Sequence, residues 1–154
     1  MHEPDKATGF AGCALSSTLV RFFKNDDETW SHEVYNESSL LIILHFFLIF
    51  VLTTNNLSNL KVAISVEPLK VENWILPEMP GLITDFLISL DDRFLYCSNW
   101  LHGDIRQYNI EDPKTPVLTG QIHVGGLVQK GSLVLALGEE GKAFQFDVPK
   151  IKVR

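Results

Sequence analysis

Five histidines (His2, His32, His45, His102 and His123) and two cysteines (Cys13 and Cys97) are the side chains of this 154-residue sequence best suited to hold a metal or attack a substrate. Their spacing is not that of a zinc module, since neither C-x-x-C nor H-x-x-x-H occurs. His102 sits in NWLHGD, where a turn histidine could either ligate a metal or pack on Trp100 and bond Asp104. His32 and His123 read as surface strand residues, and His45 falls in an unusual apolar segment. Cys13 and Cys97 stand within apolar runs, where cysteine behaves as a small buried hydrophobe. Asp91-Asp92-Arg93 reads as a solvated hairpin turn, not an acid/base dyad, and Arg106 as a bridge between strands. Gly125-Gly126 lacks the fuller glycine pattern and following helix of a phosphate loop.

These residues are carried by short apolar runs. Ile83–Leu90, Phe94–Trp100, Ile105–Ile110 and Val117–Val124 are separated by Asp91-Asp92-Arg93, His102-Gly103-Asp104 and the polar stretch Glu111–Pro116. Short β-prone runs punctuated by Asp, Gly and Pro predict an antiparallel meander, and four such strands form one blade of a β-propeller. Ser132–Leu137 and Ala143–Val148 are further candidate strands. Leu76-Pro77-Glu78-Met79-Pro80-Gly81 predicts an ordered loop or sheet edge, because proline donates no backbone hydrogen bond. Cys13–Asn25 and Cys97–Asn109 echo each other weakly, each running through a polar turn into a strand with arginine followed by an aromatic two positions later.

Thirteen basic and nineteen acidic residues leave a net charge of −6, and no basic stripe speaks for a nucleic-acid partner. Two cysteines make no disulfide framework, and no signal peptide is evident, so a reducing, cytoplasmic setting is expected. Leu40–Leu52 (LLIILHFFLIFVL) is apolar except for His45. It falls short of the roughly 20 residues of a membrane span and has no flanking Lys/Arg cluster, so membrane association is expected to be peripheral at most.

The wording of LPEMPGLITD (Leu76–Asp85), SLDDRFLYCSNWLHGDIRQYNIEDP (Ser89–Pro113), LTGQI (Leu118–Ile122), HEPD (His2–Asp5) and GFAGCALSST (Gly9–Thr18) resembles the selenium-binding protein family. The resemblance covers residues 2–33 and about 66–126, roughly the middle of a family member. It implies an all-β chain of antiparallel four-stranded propeller blades, about one and a half to two of them here. Residues 2–34 would be a partial blade, 61–126 a blade with a Pro-rich lead-in, and 127–154 a poorly matching partial blade. Residues 35–60 have no family counterpart and read as a hydrophobic insert, either translated non-coding sequence or a lineage-specific loop.

The activity implied is that of a cytosolic methanethiol oxidase, which converts methanethiol, O2 and water to formaldehyde, hydrogen sulfide and hydrogen peroxide. The cofactor implied is copper, with His2 and His102 as ligands inside family wording and Glu3 and Asp104 orienting those imidazoles. Selenium is expected on a cysteine near the family N-terminus, outside this chain, and not on Cys13 or Cys97. The alternative is a non-catalytic selenium-binding or interaction protein linked to intracellular protein transport, with protein partners and a cytosolic, nuclear or peripheral membrane location.

Overall fold

The computed structural model describes residues 1–2, 7–33 and 62–149. All regular structure among them is β, arranged as three four-stranded antiparallel sheets. No helix among the described residues is long and apolar enough to cross a membrane. The apolar run Leu40–Leu52 and His45 lie outside the described residues.

The first sheet contains β1 (Thr8–Cys13), β2 (Thr18–Lys24), β3 (Trp30–Glu33) and β4 (Val62–Ser65). β2 is central, pairing with β1 and with both β3 and β4. β5 (Leu69–Glu72) and β6 (Glu78–Met79) follow; the Pro-rich stretch expected to be a loop or edge supplies β6, which is an edge strand.

The second sheet is the meander expected from the sequence: β7 (Ile83–Ile88), β8 (Phe94–Asn99), β9 (Asp104–Asn109) and β10 (Val117–His123), paired in order. The expected strands overrun the observed ones by one or two residues where apolar side chains continue into turns; Leu90 and Trp100 are both exposed there. The third sheet joins β5 and β6 to β11 (Leu135–Leu137) and β12 (Ala143–Phe144), in the order β12-β11-β5-β6.

Side chains alternate across a strand, so register decides what is buried. On β8 the inward row is Leu95, Cys97 and Asn99, and on β9 it is Asp104, Arg106 and Tyr108. The apolar members of these rows pack with Ile83 and Ile110 against Phe10, Leu19, Ile64 and Val66 of the first sheet and the residues just after it. Full burial of a side chain such as Leu95 stabilises by about 1.5–3 kcal/mol. A second core of Val71, Met79, Val128, Val134 and Ala136 lies under the third sheet.

Candidate functional site at the polar end of the second sheet

The inward face of the second sheet changes character along its length. Leu95 faces Tyr108 at the apolar end, Cys97 faces Arg106 in the middle, and Asn99 faces Asp104 at the other end. β10 extends the polar rows, placing Gln121 beside Arg106 and His123 beside Asp104. Four residues, Trp100 to Gly103, reverse the chain between β8 and β9, with the Gly103 amide donating to the Asn99 carbonyl at 2.8 Å. His102 stands in this turn and is 1% exposed.

Asp104 is the charged centre. Its Oδ2 accepts from Arg106 Nε at 2.8 Å and from Gln121 Nε2 at 2.6 Å. Burial opposes ionisation, but the bond and charge of Arg106, helped by Gln121 and the nearby Asn99 amide, hold the Asp104 carboxyl below its usual range. Burial likewise works against the Arg106 charge, and the Asp104 carboxylate outweighs it, raising the arginine. The Asn99 amide lies near Asp104 without reaching hydrogen-bond geometry. Asn99 Oδ1 and Nδ2 and Asp104 Oδ1 therefore have no protein partner.

The His102 imidazole is held by the third sheet, its Nε2 lying 2.9 Å from the Met79 carbonyl. A carbonyl only accepts, so Nε2 carries the proton and Nδ1 presents the lone pair. Burial lowers the His102 pKa, which keeps the ring neutral at pH 7, the form that ligates metals. The sequence expects Asp104 to orient this ring; in the structure the ring's hydrogen bond goes to Met79. Asp104 is committed to Arg106 and Gln121, and Met79, brought in by a long-range strand pairing, takes the imidazole instead.

His2 lies elsewhere. Its backbone amide donates to Asp92 Oδ1 and Oδ2 at 2.8 and 2.9 Å, and its Nδ1 is 2.8 Å from Asp92 Oδ1. Asp92 is in the turn before β8, and His102 is in the turn after it. A six-residue strand separates these turns by roughly 17 Å. Two imidazoles on one metal have nitrogens only about 4 Å apart, so His2 and His102 do not share an ion. Glu3, the expected partner of His2, lies outside the described residues. The reading of Asp91-Asp92-Arg93 as solvated is also corrected: Asp91 is exposed, but Asp92 is 1% exposed with φ of 55° and anchors the N-terminal His2.

Of the other expected residues, His123 is partly buried, its ring stacked on Phe146 with centroids 3.6 Å apart. Asn99 and Gln121 were missed as members of the site. Counting by twos from Leu95 would have placed Asn99 on the inward face; nothing local marks Gln121 or the Met79 carbonyl. Among the described residues, no three His, Cys, Asp or Glu side chains converge as a metal site.

Burial raises the thiol of Cys13 and pushes that of Cys97 up to about 11. The Cys97 thiolate fraction at pH 7 is then ~100-fold below that of an ordinary cysteine, because each pKa unit is a factor of ten. Iodoacetamide should label Cys97 of the folded chain at least that much more slowly than free cysteine, as read by peptide mass spectrometry. Rapid labelling of Cys97 without unfolding would contradict the buried thiol.

The all-β sheets and their buried polar end belong to a class of protein that sequence comparison identifies. The profile of the 56 kDa selenium-binding protein family (SBP56) matches residues 42–150, and the chain belongs to this family. It is 81% identical over 152 residues to selenium-binding protein 3 of Arabidopsis thaliana, covering 99% of this chain and 26% of that protein. It is 52% identical over 140 residues to the methanethiol oxidase of Homo sapiens, covering 91% of this chain and 24% of the relative. The crystal structure of a hypothetical selenium-binding protein from Sulfolobus tokodaii superposes with a TM-score of 0.57 at 34% identity, over 81% of this chain and 24% of that one. The chain thus spans about a quarter of the length of these relatives.

Proposed function

We propose that the chain is a section of a methanethiol oxidase acting in the cytosol, with methanethiol, O2 and water as substrates and formaldehyde, hydrogen sulfide and hydrogen peroxide as products. The observation that carries this reading is the 52% identity to a protein named for that activity, over 91% of the chain. On this reading the first two sheets are propeller blades, and the buried polar end of the second, with neutral His102, faces the region where the substrate binds.

Copper is the implied cofactor, and imidazole suits it. The residues described here do not make a complete site for it. His2 and His102 are a strand length apart, and His102 has already given Nε2 to Met79. His102 Nδ1 is the available donor, and further ligands would have to come from the part of the relatives' length that this chain does not span. Arg106, Asp104 and Gln121 tie β9 to β10 beside the turn carrying His102, and the raised thiols of Cys13 and Cys97 make both poor sites for selenium.

The reading is tested by supplying methanethiol to the native protein from tissue and to the 154-residue chain, and measuring peroxide and sulfide. The native protein should form the two in equal amounts, and the isolated chain neither above blank. A native, copper-loaded protein that forms neither product would defeat the oxidase reading and leave the non-catalytic selenium-binding alternative, with protein partners, in its place.

A further inference from the structure

β3 and β4 lie end to end along a single edge of β2. The opposite edge is occupied by β1 from Thr18 to Phe23, so both short strands must share the remaining one. Both run antiparallel to β2. Arg21 faces Glu33, and the next residue of β2, Val20, faces Val62. The ladder therefore passes from Glu33 to Val62 with neither gap nor overlap, although 28 residues, 34–61, stand between them in sequence.

The second sheet shows what an uninterrupted version looks like. There one strand, β10, does for β9 what β3 and β4 together do for β2. Asp104 pairs with His123 and Ile105 with Ile122, just as Thr18 pairs with Ser65 and Leu19 with Ile64. The residue before each inner strand, Ser17 or Gly103, has a positive φ, 54° or 76°. Its carbonyl accepts the amide that follows the outer strand: Val66 N to Ser17 O at 2.9 Å, and Val124 N to Gly103 O at 2.7 Å. Both outer edges also carry one register shift, between Leu19 and Val20 and between Leu118 and Gly120.

Lineage-specific insertions collect at exposed loop tips, where no ladder is broken. This one separates two strands that continue one ladder edge. The genetic code supplies an independent observation. Every valine codon begins with GT, and the lysine codon AAG ends with AG, so Val34 and Lys61 can carry the dinucleotides that bound a spliced intervening sequence, in frame with the ladder's junction. Phe, Leu, Ile and Val all have uridine at the second codon position, so a uridine-rich RNA read as protein yields a run such as Leu40–Leu52.

We infer that residues 34–61 are the translation of a retained intervening sequence, and that in the spliced form Glu33 is bonded directly to Val62, making β3 and β4 one strand. The boundaries shift from the 35–60 suggested by the family resemblance to 34–61, which the ladder sets. The family match spans 42–150 and so crosses the junction without defining it. The apolar run then needs no membrane or partner to account for it.

The test is reverse transcription of message from tissue that makes the protein, amplified between the codons for residues 25–33 and 62–70 and sequenced. The expected main product is shorter by 28 codons and joins the Glu33 codon to the Val62 codon. Any longer product should differ only by a stretch beginning GT and ending AG. Trypsin digestion of the native protein should release one peptide in which Asn25–Glu33 continues into Val62–Lys70. Finding only the longer message, or a shorter one joined at another codon, would overturn the inference.

Discussion

Gly103→Ala is expected to unfold the polar end of the second sheet. Gly103 has φ of 76°, a region alanine enters at a cost of about 1 kcal/mol. A Cβ there would stand 1.9 Å from Gly125 O and 2.4 Å from Gly126 N. Those are backbone atoms, which cannot rotate aside as a side chain can, so the two chain segments must separate. The bond from Val124 N to Gly103 O and that from Leu127 N to Leu101 O would be strained together. A loss of at least about 3 kcal/mol is expected, in the upper range for single substitutions. Gly131 is the control, since its φ is 89° but nothing lies within 4 Å of an added Cβ. Amide exchange at Val124 and Leu127 should accelerate strongly in Gly103→Ala and hardly at all in Gly131→Ala. Equal effects in the two variants would show that the close backbone approach is unimportant.

The second large effect is expected at Asp104, whose side chain is fully buried against Arg106. Asp104→Ala leaves the largely buried Arg106 guanidinium without its acceptor, while the exposed Gln121 amide can turn to water. Removing one partner of a buried pair costs about 3–5 kcal/mol, mostly for the charge left behind. Pairing with Arg106 holds the folded Asp104 below its unfolded pKa despite burial. Its contribution is therefore fully present above about pH 4, the ordinary carboxylate value, and is lost as acidification passes through the lower folded value. Asp104→Asn should flatten that acid limb of the unfolding profile as well as lower stability near neutrality. An acid limb unchanged in Asp104→Asn would mean that other carboxylates govern it.

Both effects concern a site that was only partly legible beforehand. Leu95, Cys97 and Asn99 alternate with outward residues, so the inward row could be counted along the chain. The turn Trp100 to Gly103 was marked by its glycine, and the weak echo between Cys13–Asn25 and Cys97–Asn109 proves to contain the paired turns at Ser17 and Gly103. The partner of His102 was not legible, because Met79 reaches it from another sheet. Nor was that of His2, since Asp92 lies 90 residues away.

The amino-acid sequence by itself determined the four strands of the second sheet and their order. Alternation and turn chemistry are local, and a meander pairs each strand with the next. Tertiary structure alone decided that β5 and β6 join β11 and β12, that Gly126 lies against Gly103, and that β3 and β4 share one edge of β2. Each of these depends on which backbone hydrogen-bonding groups remain unpaired once the local hairpins have formed, and no short stretch of sequence carries that information.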